Sequence, residues 1–308
     1  MSEVVGDYNN TVVEIAGKHL GQTVGQYSDT YDPSLLVKVP RYMNRDTYDI
    51  KESDLPFVGY DIWNAYEVST MTKKGLPVSG VLKIAYPCES QYHVESKSIK
   101  LYLNSFNMER LGHTAQDCIE KIEKTITSDL NNLLETNVSV KLHTPSKLDP
   151  YANDTWIGFQ NYISIDQCVD LDSIDFSAYK SDAKQLKTTT RVKEAWYHSD
   201  LLRSNCRVTN QPDWGDIYVY MKGKCTITPK SLAKYIVSHR KVSHFHEEIC
   251  EMVYKHLWDK LKPEELMVTC LYTRRGGIDI NPTRASHESL LDEEFIHVQF
   301  LNQKTLRQ

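Results

Sequence analysis

The sequence predicts an α+β protein made of two copies of one strand-and-helix unit. Three observations lead there. Half-buried strand patterns and amphipathic helix patterns both occur, with a helix and then a strand behind each copy of one motif. "ESKSIKLYLNSF" (95–106) lies over "TPKSLAKYIVSH" (228–239), with identities at Lys97/Lys230, Ser98/Ser231, Tyr102/Tyr235 and Ser105/Ser238. Just beyond, "HTAQDCIEKI" (113–122) lies over "HFHEEICEMV" (244–253), sharing a leading His and a central Glu. The matching order of elements points to a tandem duplication.

Residues 1–60, rich in Asp, Tyr, Asn and Pro, read as a loop-bearing start. "GVLKIAY" (80–86) and "SIKLYLNSF" (98–106) read as strands, or as a strand leading into a helix. Ile119, Ile122, Ile126, Leu130, Leu133 and Leu134 recur at three- and four-residue steps, which makes one apolar helix face, with Thr114 as its N-cap. "VSVKLH" (138–143) alternates as a half-buried strand does. "TPSKLDPYANDTW" and then "VDLDSIDFSAYKSDAKQ" break the rhythm and read as an acidic, polar connector. Strands return in "DIYVYM" (216–221) and "KCTIT" (224–228). A helix follows around 244–261, with Ile249, Val253 and Leu257 at four-residue steps, and "ELMVTCLYTRR" reads as a late strand ending in Gly276-Gly277. The expected division is a first module over 1–150, a connector over 151–200 and a second module over 201–308.

Composition narrows the function classes. With 308 residues, 40% hydrophobic and 25% charged, the chain has ample capacity for a globular core. A net charge of −5 argues against non-specific nucleic-acid binding. No apolar run approaches the ~20 residues of a membrane helix, and the start of the chain lacks the basic and apolar regions of a secretory signal. The seven cysteines are scattered without a C-x-x-C pair, which fits free thiols in a reducing cytoplasm and predicts no metal. G-x-G-x-x-G after a strand, G-x-x-x-x-G-K-[ST], H-E-x-x-H and G-x-S-x-G are all missing, so a dinucleotide would not sit on a Rossmann unit or P-loop.

"LLRSNCRVTNQPDWG" (201–215) sets Cys206 seven positions before Asp213, with Arg203 and Arg207 flanking the thiol and a Gln-Pro turn able to fold the chain back. A thiol with a pKa of ~8.5 needs a nearby base, cation or helix N-terminus to become a nucleophile. A buried, inert cysteine is the commoner case, but polar neighbours suit a loop, and the residues alone leave both readings open. Glu95 and Glu247 are carboxylates able to accept the parallel N–H donors of an amino-pyrimidinone base, with Ser96 adding a hydroxyl and His246 a hydrogen-bonding or proton-transferring ring. Lys97, Lys100, Arg274 and Arg275 are candidate phosphate contacts, and Gly276-Gly277 allows close backbone approach.

These blocks resemble a known family. "VESKSIKLYLNSF", "SNCRVTNQPDWG", "FHEE" and "YTRRGGIDINP", in this order, are similar to the signature motifs of the NADPH-dependent nitrile reductases that act on 7-cyano-7-deazaguanine, in their long, two-module branch. The resemblance covers most of 55–290. It implies tandem tunnelling-fold modules, antiparallel sheets with helices on one face, a homodimer and a role in queuosine (tRNA modification) biosynthesis, with no membrane or nucleic-acid partner. It implies Cys206 as the nucleophile that adds to the nitrile carbon, and Asp213 as the proton donor, kept protonated by burial. Val94, Glu95, Ser96, His246 and Glu247 would hold the deazaguanine, and Ser96, Lys97, Arg275 and Gly276 the NADPH, of which two are consumed. Two other readings remain: a relative that adds an amine to the thioimidate without reduction, and a non-catalytic binder of a deazapurine or pterin.

Overall fold

The computed structural model describes residues 10–19, 30–144, 155–156, 158–302, 304–305 and 308. In chain order the first half holds β1 (Val58–Thr72), β2 (Pro77–Pro87), α1 (Ser96–Asn104), α2 (Ala115–Leu134) and β3 (Ser139–His143). The second half holds β4 (Glu194–Asn205), β5 (Pro212–Lys222), α3 (Pro229–Val237), α4 (His246–Leu261), β6 (Glu265–Tyr272) and β7 (Ile278–Ala285). One nine-stranded sheet joins them in the order β3-β2-β1-β7-β6-β5-β4, with Ile163–Ser164 beyond β4 and Arg110–Gly112 beside β1. The ladders between the labelled strands are all antiparallel.

Each half packs its helices on the sheet and has its own core. Ile122, Ile126, Leu130 and Leu134 of α2 meet Trp63, Leu82 and Ile84. Ile249, Val253 and Leu257 of α4 meet Ile217, Val219 and Val268. Thr114 caps α2 by accepting from Asp117 N at 3.1 Å, and Glu135 ends it with a left-handed φ of 56°. The segment 98–104 is helix rather than strand, because Glu95 caps it and Ile99, Tyr102 and Leu103, with Phe106 in the turn beyond, form one buried stripe.

Duplication reaches the level of single hydrogen bonds. Ser98 Oγ accepts from Val37 N at 3.0 Å and donates to Glu95 O, while Ser231 Oγ accepts from Lys187 N at 3.0 Å and donates to Thr228 O. Ser105 and Ser238 each donate to the tyrosine carbonyl three residues back, both at 2.6 Å. Asp32 caps Pro33–Leu35 as Asp182 caps Ala183–Gln185. The acidic stretch before residue 190 therefore repeats the segment that precedes β1. Both β1 and β4 carry a bulge, near Ala65–Val68 and Ser199–Leu202.

The halves meet where β7 pairs with β1 over eight residue pairs, from Ile278↔Ala65 to Ala285↔Val58. Charges buried at this seam are matched. Arg284 Nη2 lies 2.8 Å from Asp61 and 2.9 Å from Glu251, Arg45 Nη2 lies 2.9 Å from Glu251, and Arg41 pairs with Asp61. The opposite sheet face is covered by Phe159 and by Phe295–Phe300, where Lys83 Nζ donates to the carbonyls of Phe295, His297 and Phe300 at 2.8, 3.0 and 2.6 Å.

Candidate active site

One cavity of about 620 Å³ opens at the seam. Val94, Glu95, Ser96, Lys97, Cys206, Asp213, His246, Glu247, Arg275 and Gly276 all line it, so every site residue expected from the sequence is brought to one place.

Cys206 and Asp213 are held by the β4–β5 hairpin. Its register sets Ser204 opposite Asp213 and Asn205 opposite Pro212. Cys206 N donates to Gln211 O at 2.8 Å and Asn210 N to Cys206 O at 3.0 Å, closing a tight loop in which Asn210 takes the left-handed φ of 54°. The thiol is half-buried at the tip, and Asp213 is buried. Asp213 Oδ1 accepts from Arg275 Nη1, while Oδ2 lies 3.4 Å from His246 Nε2. Arg275 also donates to Gln211 Oε1 at 2.7 Å. Burial pushes the Asp213 carboxyl up, but His246 and Arg275 outweigh it and hold the group below the usual carboxylate range. This departs from the expectation that burial keeps Asp213 protonated: the burial also brings His246 and the Arg275 guanidinium against the carboxyl. Burial likewise works against the Arg275 guanidinium, and Asp213 and then Cys206 overcome it, so this cation faces both the carboxylate and the thiol.

His246 opens α4 and stacks on the Tyr272 ring, with centroids 3.8 Å apart and planes 8° apart. The stack fixes the ring edge toward Asp213. Glu247 follows at the first turn, buried, with Oε1 lacking a hydrogen-bond partner among the described residues. Burial, reinforced by Asp61, pushes its carboxyl up to about 8 against the pull of Arg41 and Arg284. Glu95 serves first as the cap of α1, accepting from Lys97 N at 2.9 Å and Ser98 N at 2.6 Å. Burial raises its carboxyl despite those amides. Oε1 also accepts from Ser96 Oγ at 3.4 Å, while Oε2, bonded to Ser98 N, keeps a second lone pair for a ligand.

The mouth is cationic. Arg274 lies 3.6 Å over the Tyr66 ring, and Lys100 sits 3.7 Å from Glu67. Gly276 needs its left-handed φ of 59°, and a Cβ there would come within 3.0 Å of Lys100 Nζ. Glu95 occupies the first amides of α1, and the side chains of Ser96, Lys97, Lys100, Arg274 and Arg275 line the cavity here. That set suits an anionic dinucleotide. Among the described residues, no cluster of three or more His, Cys, Asp or Glu side chains is arranged to hold a metal ion. Sequence reasoning missed His93, Trp63, Phe245, Ile278 and Ile280, which also line the cavity. A lone His and scattered apolar residues carry no pattern of their own.

Comparison with known proteins defines the class. Residues 27–142 match the family model described as "Nitrile reductase, 7-cyano-7-deazaguanine-reductase N-term", and 212–290 match that described as "QueF-like protein". An NADPH-dependent 7-cyano-7-deazaguanine reductase of Colwellia psychrerythraea is 39% identical over 92% of this chain and 96% of its own length. Proteins of the same name from Desulfotalea psychrophila (38% identity, 94% and 98% covered) and Legionella pneumophila (37%, 91% and 93%) are similar along nearly the whole chain. The chain belongs to the 7-cyano-7-deazaguanine nitrile reductase family.

Proposed function

We propose that the protein reduces 7-cyano-7-deazaguanine to the 7-aminomethyl compound with two NADPH, through a thioimidate on Cys206, as a step in queuosine biosynthesis. The observation that carries this reading is the convergence in one cavity of the Cys206 hairpin thiol, the buried Asp213 carboxylate paired with Arg275, and the unpartnered carboxyl oxygen of Glu247.

A nitrile carbon is a poor electrophile, and covalent addition of sulfur converts it into a more reactive C=N carbon. With Asp213 ionised, its carboxylate accepts the Cys206 thiol proton as sulfur bonds to carbon. It then passes that proton to the nitrile nitrogen, so R–C≡N and Cys–SH become R–C(=NH)–S–Cys without a proton from outside. Arg275 stabilises the negative charge during the transfer, and His246, fixed by Tyr272, holds the second carboxylate oxygen. Glu247, with Glu95 and Ser96, orients the base and Val94 packs against it. Ser96, Lys97, Arg275 and Gly276 would hold NADPH, which supplies the hydride equivalents that take the carbon to the amine. Enclosure by Trp63, Phe245, Ile278 and Ile280 keeps water from the intermediate imine.

We also propose that the second module starts at Asp182, where the hydrogen-bond repeat begins, and that two chains associate. Supporting association, the sheet ends in β3 at one side and Ile163–Ser164 at the other, edges that pairing between copies would cover. Loss of NADPH absorbance on adding the nitrile tests the activity. No oxidation of NADPH, with the nitrile bound, would remove the reductase reading.

A further inference from the structure

His93 stands on the short strand Tyr92–Val94, and Glu247 on the first turn of α4. Their side chains meet deep in the cavity, His93 Nδ1 lying 3.8 Å from Glu247 Oε1, and both residues are buried. Among the described residues, neither Glu247 Oε1 nor His93 Nε2 has a hydrogen-bond partner. The His93 ring is held edge-on against Phe245, 5.1 Å between centroids. Two residues that line the cavity thus each carry an orphaned polar atom, one on the carboxyl and one on the imidazole beside it.

We propose that His93 is a positioning residue that shares one proton with Glu247, leaving the carboxylate neutral in the empty site and taking its proton when the base binds. This rests on the reading that Glu247 accepts the base's parallel N–H donors. The surrounding charges support a single shared proton. Glu247 faces Asp61 of β1, Arg41, Arg284 of β7 and the Tyr86 hydroxyl of β2. His93 faces Arg41, Glu248 and Glu251 of α4 and Asp61. Burial, aided by Asp61, lifts Glu247 to about 8, and burial, aided by Arg41, lowers His93 to about 4, so at neutral pH the empty pair carries its proton on the carboxyl. Two N–H donors laid on the carboxyl favour its ionised form, and an imidazolium beside it adds Coulomb attraction. The two states have equal net charge, so the buried site avoids an extra charge on binding. Closure from 3.8 Å to the ~2.9 Å of a hydrogen bond is the only displacement the transfer needs.

The test is calorimetry of 7-cyano-7-deazaguanine binding in phosphate and in Tris at one pH, in a Cys206→Ala background that blocks adduct formation. Different buffer ionisation heats reveal protons released. With His93 intact, release near zero is expected at pH 6.5, with a flat affinity between pH 6 and 8. With His93→Gln or His93→Phe, the carboxyl proton goes to solvent, so release approaches one and Kd tightens up to tenfold per pH unit toward pH 8. A full proton released by the His93-intact protein would overturn the proposal, as would His93 variants that release no more than it does. If Glu247→Gln binds the base as tightly as its parent, the binding role of Glu247 itself fails, and that outcome is read separately from the protons.

Discussion

At the scale of single residues, the nucleophilic role proposed for Cys206 rests on what surrounds the thiol rather than on the thiol alone. Cys206→Ala should abolish NADPH oxidation while leaving base binding measurable, since the carboxylates and His246 remain. Intact-protein mass should show an adduct on the parent incubated with nitrile alone, and none on the variant. His246 and Arg275 hold Asp213 below the usual carboxylate range, and under the proposed mechanism its ionised form takes the thiol proton. Removing a cation raises its pKa, so Arg275→Met should move the acid limb of adduct formation, measured without NADPH, to higher pH. An unmoved limb would show that Asp213 does not set it. The fold brings all ten expected residues to one cavity, and they were legible through motif blocks that resemble one family. The ionisation state of Asp213 was not, because it depends on Arg275, far along the chain and adjacent only after folding.

Among the elements, β1 and β7 were the least legible, and their buried polar residues explain it. Asp61, Asn64, Asp279, Asn281 and Arg284 are all buried, so the period-two alternation that marks a strand is filled with charges and amides. In α1, Ile99, Leu101 and Leu103 mimic strand alternation, and only the Glu95 cap and the Phe106 contact reveal the helix. By contrast α2 was plain, because its stripe is purely apolar. The buried pairs make a stability prediction. Arg284→Met leaves Asp61 and Glu251 short of a partner and should cost about 3–5 kcal/mol in urea unfolding. Lys38→Ala, which breaks the exposed pair with Glu135 at 2.6 Å, should cost at most about 1 kcal/mol. The pH dependence has two signs. Asp61 and Glu251 are held below their ordinary range, so their contribution is present above that range and lost as pH falls through the folded values. Glu247 is raised to about 8, so its contribution is present below the ordinary carboxylate range and lost as pH rises through about 8. Glu247→Gln should therefore gain stability relative to the parent between pH 5 and 8, read as a growing difference in urea midpoint.

For the whole molecule, duplication explains why one cavity draws on both halves. The first copy supplies Glu95 and the α1 residues, and the second supplies the hairpin thiol and the start of α4. Where α1 has Glu95 as its cap, α3 has Thr228, so the repeated position no longer carries a carboxylate. Association of two chains should appear in sedimentation as a dimer, and a fully active monomer would exclude it. The β1–β7 ladder has a temporal side as well. A ribosome delivers β1 long before β7, so while the chain is growing the edge that β7 will cover stays open and Asp61 waits for Arg284. Arg275, the cation that faces thiol and carboxylate together, emerges with the last strands. A chain arrested before residue 274 would hold Cys206 in its hairpin yet lack Arg274, Arg275, Gly276, Ile278 and Ile280, a whole wall of the cavity.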